Sequence, residues 1–293
     1  MLSSLRATIP AGLSHEILLI DDGSTDGTRE WLATLRDEGI RVLLNDSNRG
    51  FARTNNRAVA AARGELLLLL NNDLVLLPGW LEPMLDAHRS LGERAGVIGN
   101  VQLNARTGVV DHAGIVFDPK AKPEHDRIPP RGLERWFRPV RSVPAVTAAC
   151  ILVSRALWNE LGGFDEGYLN GGEDVDLCLR ARASGRVNAV ALRSVVRHHV
   201  SASLGRKLHD ERNSERLARR WRNDFVSCAT RNWCRHQFEI ILRDPRGCDA
   251  AQAWRLWSHA VGLRRHAPVE AIEALHASLD VEFDRWREIL GPG

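Results

Sequence analysis

The stretch LLLLLNND, residues Leu66–Asp73, decides the fold that we predict for this chain. Five consecutive leucines are too few to cross a bilayer, which takes about 20 apolar residues. A run of this length, bounded by Gly64 and by polar residues, is typical of a strand that is buried on both faces. Ligands bind at the carboxyl ends of parallel strands in open α/β sheets, so Asp73 is a candidate ligand for a hard divalent cation. A plain polar turn is the alternative.

Apolar runs and helical patterns alternate before this strand. The runs at residues 16–20 and 40–44 predict two more short strands. A helix that Ser24 or Thr25 could cap lies between them, and the alanine-rich segment 51–63 predicts a second helix. The order strand–helix–strand–helix–strand predicts an α/β fold with a mostly parallel sheet flanked by helices.

Acidic residues stand at two further places where a ligand could bind. Asp21 and Asp22 end the first strand, where a carboxylate accepts hydrogen bonds from a nucleobase or ribose, or simply precedes a helix. Glu173, Asp174 and Asp176 begin a later predicted helix, and three carboxylates exceed what capping requires. One of them, directed into a cleft, could serve as a general base, whereas a plain capped helix is the alternative reading.

Two other segments carry candidate roles. The adjacent imidazoles of His198 and His199 follow the strand predicted near residues 187–192 and could complete the Asp73 metal site. Residues 118–142 form a polar, proline-rich segment, which we interpret as a mobile flap or an acceptor-facing insertion.

Composition restricts the class of protein and its compartment. Of the 293 residues, 44% are hydrophobic and 26% charged, which is ordinary for a globular protein. The net charge of +3 does not call for a nucleic-acid partner. Five cysteines without a CxxC pair argue against a disulfide framework or a zinc cluster. With neither a signal peptide nor a transmembrane run, we expect a cytoplasmic protein.

At this point the motifs, taken in order, resemble glycosyltransferase family 2, the inverting sugar transferases of the GT-A fold. The resemblance covers roughly residues 2–203 and rests on the segments DDGSTDGT, NRGFARTNN, ARGELLLLLNND, GGFDE, GGEDVDLCLR and the terminal HH. It implies a nucleotide-diphosphate-sugar donor and a divalent cation, Mg or Mn. It also implies that the donor-binding residues are Asp21, Asp22, Arg49, Asn71 and Asn72.

The resemblance further implies a metal site and a catalytic base. Asp73 would be the metal carboxylate of the DxD element, with Asn71 where the family more often has its first acid. His198 would bind the metal or the diphosphate, with His199 as the alternative register. Asp174 matches the family's catalytic base.

The chain departs from the family at its start and has a different composition at its end. The family's first strand is absent, and residues 2–5 correspond to the end of the helix that follows it, so we expect an N-terminally truncated GT-A domain at residues 1–203. The loss should expose strand edges and weaken stability or donor affinity. Residues 204–293 are expected to form a helical C-terminal extension.

A basic segment opens this extension. Between Arg206 and Arg235, nine basic residues stand against four acidic ones, with Trp221 and Phe225 one helical turn apart. The segment could form a helix that lies on anionic lipid, giving peripheral contact with the inner face of a membrane. A solvated helix packed on the catalytic domain is the alternative.

Together these features predict an inverting glycosyltransferase that moves a sugar onto a hydroxyl of a glycan or a lipid-linked acceptor, in cell-surface polysaccharide or glycan synthesis. Two alternatives stay open. One is a catalytically impaired nucleotide-sugar-binding module, because the first strand is missing. The other is a sugar-phosphate nucleotidyltransferase, which would need a glycine-rich, basic phosphate loop that we do not find near the N-terminus.

Overall fold

A computed structural model describes residues 1–37, 39–199, 209–244 and 249–291 of the chain. The strands are β1 (Ile17–Asp21), β2 (Ile40–Leu44), β3 (Leu66–Leu70), β4 (Leu74–Leu76), β5 (Ala95–Asn104), β6 (Val110–His112), β7 (Ile115–Phe117), β8 (Pro123–His125), β9 (Val140–Ser142), β10 (Cys150–Ser154) and β11 (Val187–His198). The helices are α1 (Leu2–Thr8), α2 (Thr28–Thr34), α3 (Phe51–Ala61), α4 (Glu82–Leu91), α5 (Gly132–Phe137), α6 (Arg155–Leu161), α7 (Glu173–Ala183), α8 (Asp210–Arg220), α9 (Arg222–Arg243), α10 (Ala250–Ala260) and α11 (Val269–Leu290).

The central sheet has the strand order β3-β10-β5-β11-β4, with β6 beside β5 and β9 beside β11. Strands β5 and β11 run parallel, whereas β3, β4, β6, β9 and β10 pair antiparallel with their neighbours. Helices α4, α6 and α7 contact the sheet. The predicted layering of helices on a sheet is confirmed, but the sheet is mixed rather than mostly parallel. Apolar runs locate strands and carry no information on their direction.

Strands β1 and β2 form a separate two-stranded parallel sheet, in register from Ile17 opposite Ile40 to Asp21 opposite Leu44. In the described part of the chain, β1 pairs with β2 alone and β3 with β10 alone. Among the described residues, each of these two strands therefore keeps one edge without a strand partner.

The leucine strand β3 is buried less completely than its sequence predicted. Leu67 and Leu69 are buried, whereas Leu66 is 38% exposed and Leu68 and Leu70 are partly buried. This alternation follows from the position of β3 at the edge of the sheet, since only one of its faces packs fully into the core. The adjoining core includes the fully buried Met84 of α4, among the side chains of the central strands.

Three local predictions need correction. Helix α2 begins at Thr28 after Gly27, whose φ is 86°, so neither Ser24 nor Thr25 caps it. The predicted loop at residues 118–142 contains β8, α5 and β9. The apolar run at residues 143–153, which likewise predicts a strand, forms one only at Cys150–Ser154.

The chain divides into two compact units. The first comprises Met1–Gly114 and Arg127–His209, and the second comprises Ile115–Asp126 and Asp210–Gly293. The predicted boundary between residues 203 and 204 lies outside the described residues and stays a prediction. The β7–β8 hairpin belongs to the second unit, in which β7 packs on α9 and pairs with β8.

The second unit is built from α8 to α11 around a core of Cys234, Leu256, Ala260 and Ala271. Phe225 is 2% exposed and meets the ring of Phe117 edge-on, with 4.7 Å between ring centroids. This aromatic residue of the basic segment is thus a core residue of the second unit. No helix in the described ranges has the length and apolar character needed to cross a membrane.

Candidate active site

The first acidic cluster ends strand β1, and Asp21 stabilises the turn that follows. Its carboxylate, 4% exposed, accepts hydrogen bonds from the backbone N–H groups of Gly23 and Ser24 and from Arg29 Nε, at 2.9–3.3 Å. Burial by itself would raise the pKa of Asp21, but the hydrogen bonds from Ser24, Arg29 and Gly23 outweigh it and hold the pKa below its ordinary value. Asp21 is therefore a structural anchor of this turn.

Asp22 joins the end of β1 to the loop after β2. Its Oδ1 accepts from Asn45 Nδ2 and from the Arg49 N–H, both at 2.8 Å, and its Oδ2 accepts from the Gly50 N–H at 3.0 Å. The Arg49 side chain is exposed and makes no ion pair with any residue that the structure describes. Asp22 thus connects the loop of the motif DDGSTDGT to the loop of the motif NRGFARTNN through hydrogen bonds.

Two asparagines that the sequence reasoning missed link helix α3 to the segment before α7. The Phe51 N–H donates to Asn170 Oδ1 at 3.0 Å. Asn56 accepts from the Phe164 N–H and donates to its carbonyl, each at 2.9 Å. The paired amides at the end of NRGFARTNN were the available signal, since a helix surface rarely needs two adjacent asparagines. These bonds tie NRGFARTNN to GGFDE across more than 100 residues.

Asp174 stands in the first turn of α7, and it is the one half-buried member of its acidic cluster. Glu173 is 6% exposed and accepts from the Gly171 N–H, while Asp176 is fully buried and paired with Arg180 Nε at 2.8 Å. Asp174 Oδ2 accepts from the Ala148 N–H at 3.1 Å and Oδ1 from the Val175 N–H at 2.8 Å. The carboxylate is therefore oriented by backbone groups alone, among the contacts described.

The polar end of β3 lies against the same backbone segment. The Asn71 N–H donates to the Ala149 carbonyl at 2.9 Å, next to the residue that holds Asp174. Asp73 Oδ1 lies 3.3 Å from His198 Nε2, and the His199 N–H donates to the Asp73 carbonyl at 2.9 Å. Hence the His198 ring faces the Asp73 carboxylate, and the His199 backbone binds the Asp73 carbonyl. Asn72 is exposed at the surface.

The Asp73–His198 pair has the ligand chemistry of a partial metal site. Over the described ranges, no group of three or more His, Cys, Asp or Glu side chains is arranged to hold an ion. A carboxylate oxygen and an imidazole nitrogen nevertheless fit a cation such as Mg²⁺ or Mn²⁺, which is commonly held by one or two protein ligands together with substrate phosphates. Asp73 and His198 therefore fit a metal ion that binds together with the phosphates of a nucleotide-sugar donor.

A comparison with protein families shows to which family this chain belongs. The sequence profile of Glycosyl transferase family 2 matches residues 1–162, more than half of the chain. The chain belongs to glycosyl transferase family 2. The motifs DDGSTDGT, NRGFARTNN and ARGELLLLLNND lie within that match.

Three proteins that are similar in sequence to this chain differ widely in the share of their own length that it covers. The "Uncharacterized protein y4gI" of Sinorhizobium fredii is 31% identical over 84% of this chain and 29% of that protein. The O-antigen biosynthesis protein RfbC of Myxococcus xanthus is 35% identical over 64% of this chain and 15% of that protein. The N-acetylglucosaminyl-diphospho-decaprenol L-rhamnosyltransferase of Mycobacterium tuberculosis is 28% identical over 78% of this chain and 79% of that protein. The chain thus spans less than a third of the first two proteins.

Solved structures confirm the fold expected of the family. The crystal structure of GalNAc-T7 with UDP, GalNAc and Mn²⁺ superposes with a TM-score of 0.59 at 15% identity, covering 89% of this chain and 51% of that chain. The crystal structure of S. aureus TarS 1-349 gives a TM-score of 0.54 at 16% identity, covering 98% and 84%. At such identities the likeness concerns the fold alone, and it confirms the predicted GT-A fold.

Proposed function

We propose that this chain transfers a sugar from a nucleotide-diphosphate-sugar donor to a hydroxyl group of a glycan or lipid-linked acceptor, with inversion at the anomeric carbon. The single observation that supports it most is the position of Asp174. Ala148 holds its carboxylate, and the adjacent Ala149 holds Asn71, at the start of the segment that carries Asp73. A candidate base and a candidate donor-binding residue thus bond to consecutive residues of one backbone segment, and the candidate metal ligand Asp73 follows two positions after Asn71.

Asp174 is the candidate general base. Each carboxylate oxygen offers about two lone-pair sites, and each oxygen of Asp174 uses one of them for a backbone N–H. The remaining sites can accept the proton of the acceptor hydroxyl as its oxygen attacks the anomeric carbon. The bond from that carbon to the diphosphate oxygen breaks on the opposite face, and a single displacement inverts the configuration.

Asp73 and His198 are the candidate ligands of a divalent cation, Mg²⁺ or Mn²⁺. When bound, the cation would neutralise charge on the diphosphate leaving group. Asn71 is neutral, whereas an acid at this position would add a second negative charge beside the cation. The phosphates of the donor would therefore complete the ligand set. We assign donor contact to Asp22, Arg49, Asn71 and Asn72, with Asp21 shaping the turn beside Asp22.

A second candidate is a nucleotide-sugar-binding module with impaired catalysis, because in the described part of the chain β1 pairs with β2 alone and β3 with β10 alone. One experiment separates the candidates. The purified chain is incubated with a panel of nucleotide sugars and Mn²⁺, and the released nucleotide is identified by chromatography. A nucleoside diphosphate supports the transferase. Formation of a nucleoside triphosphate, in a parallel sample to which pyrophosphate is added, indicates a nucleotidyltransferase. Donor binding without any release indicates the binding module.

A further inference from the structure

A cluster of large apolar side chains is exposed on the short helix α5. Leu133, Trp136 and Phe137 are 73%, 72% and 81% exposed. Their spacing of three and four residues places them on one face of a single helical turn. Large apolar side chains that share an exposed face commonly mark an interaction surface, whereas scattered ones do not. We call this set the α5 face.

Arginines surround the α5 face. Arg131 and Arg138 flank the helix on either side and are exposed, and the guanidinium of Arg193 stacks over the Trp136 ring, 5.0 Å from its centroid. These three arginines make no ion pair with any residue in the described ranges. The one acidic residue of α5, Glu134, is held by two hydrogen bonds from Arg141, at Nε and at the terminal nitrogen, both of 2.9 Å. The surroundings of the face are therefore positively charged.

We propose that the α5 face docks on the surface of an anionic phospholipid bilayer. Tryptophan and phenylalanine side chains partition into the headgroup region, and neighbouring arginines are attracted to anionic lipid. A protein partner would need a surface that accommodates three large apolar side chains and also carries negative charge opposite the surrounding arginines. The phosphate groups of anionic lipids supply that charge beside an apolar interior, so charge complementarity favours lipid. This surface differs from the basic segment after residue 206, whose Phe225 is buried.

Vesicle flotation tests the proposal without any need for enzymatic activity. The protein is mixed with phosphatidylcholine vesicles, with or without about 30% phosphatidylglycerol, an anionic fraction that produces a surface potential. We expect flotation with the anionic vesicles, a weaker signal with phosphatidylcholine alone, and a loss of binding as salt is raised.

Two variants and one matched control sharpen the test. W136A/F137A should lower the vesicle partition coefficient at least about tenfold, because binding scales with the apolar area that inserts. R131Q/R138Q should lower the partition coefficient for anionic vesicles only. W31A, which removes an exposed tryptophan of α2, should leave it unchanged. Thermal unfolding confirms that each variant is folded.

Three results would overturn the proposal. One is equal flotation of W136A/F137A and the unchanged protein. Another is binding that is indifferent to anionic lipid. The last is a concentration-dependent dimer, in light scattering, that W136A/F137A converts to monomer, since that outcome would assign the α5 face to a second copy of the chain.

Discussion

The N–H group of Ala148 lies 3.1 Å from Oδ2 of Asp174 and donates a hydrogen bond to it. The next residue, Ala149, accepts a hydrogen bond from Asn71. Residues that are about 100 positions apart in the chain are thus positioned by two adjacent peptide groups just before β10. A displacement of this segment would move the candidate base Asp174 and the candidate donor-binding residue Asn71 together.

Replacing Asp174 by asparagine should impair turnover far more than donor binding. The amide preserves the side chain's size but cannot take a proton from the acceptor, and general-base assistance is typically worth about 10²–10⁴-fold in rate. Transfer of radiolabelled sugar measures turnover, and titration calorimetry measures donor affinity. Glu173→Gln is a comparison variant at the neighbouring buried acid, which should act on folding instead. A transfer rate for Asp174→Asn within a few-fold of the unchanged protein would contradict the assignment.

Replacing Asp73 by asparagine should weaken metal-dependent nucleotide binding by at least about tenfold, a typical effect for a disturbed metal site. The charge that the carboxylate supplies to the cation is lost, while the backbone contact of residue 73 with His199 can persist. Calorimetry with a nucleoside diphosphate, in Mn²⁺ and in chelator, measures the effect. Asp86→Asn, at an exposed position of α4, is the matched control. Affinity that stays dependent on Mn²⁺ to the same degree would rule out Asp73 as a ligand.

Replacing Asn56 by alanine should destabilise the protein by about 1–3 kcal/mol. The N–H and carbonyl groups of Phe164, a residue that is 2% exposed, would lose their partners, and unsatisfied buried groups cost that much. Denaturant unfolding measures the change. Asn55→Ala is a close control, because the side-chain hydrogen bond of Asn55 that the structure describes goes to the Phe51 carbonyl within the same helix. If Asn56→Ala and Asn55→Ala are equally stable, the hydrogen bonds between Asn56 and Phe164 do not make the expected contribution to stability.

Replacing Gly23 by alanine should cost more stability than replacing Gly27. Both glycines have a positive φ, of 80° and 86°, so both alanines carry the left-handed backbone strain of about 1 kcal/mol. A Cβ at Gly23 would also lie 2.6 Å from backbone atoms of Ser47 and Asn48, whereas one at Gly27 would meet nothing within 4 Å. Thermal unfolding of both variants measures the difference. Equal losses would mean that the close approach of the two loops is not needed.

The contribution of Asp21 to stability should disappear in acid. Its pKa is lowered in the folded protein, so the unfolded chain binds the proton more readily. The contribution is complete above the unfolded value, about pH 4, and is lost as the pH falls through the folded-state pKa. The difference in unfolding free energy between the unchanged protein and Asp21→Asn should therefore shrink below about pH 4. A difference that is constant between neutral pH and about pH 3 would be inconsistent with this pKa.

The sequence predicted most elements of the first unit, because apolar periodicity and glycines report local structure directly. Strand β2 has the predicted bounds, and Ser154 caps α6 through a hydrogen bond from the Leu157 N–H. The directions of β3 and β10, the separate β1–β2 sheet and the membership of β7 and β8 in the second unit were not predictable. These features depend on contacts between distant residues.

For the candidate site, the sequence indicated which residues are unusual but not how each one is used. Asp21 and Asp22 are adjacent and identical, yet one stabilises its own turn while the other joins two loops. Similarly, His198 ends strand β11 with its ring 3.3 Å from the Asp73 carboxylate, whereas the next residue, His199, donates its peptide N–H to the Asp73 carbonyl. Asn56 and Asn170 were missed because their hydrogen-bond partners lie more than 100 residues away.

The unpaired edge of β3 has a consequence for handling the protein. Five leucines present a row of backbone donors and acceptors that, in the described chain, no neighbouring strand covers. Such an edge is a template on which a strand of another molecule can add, and an uncharged apolar segment of this length is well suited to cross-β stacking. Concentrated stocks should therefore aggregate through Leu66–Leu70, and a lysine placed at the exposed Leu66 would act as a gatekeeper against that growth.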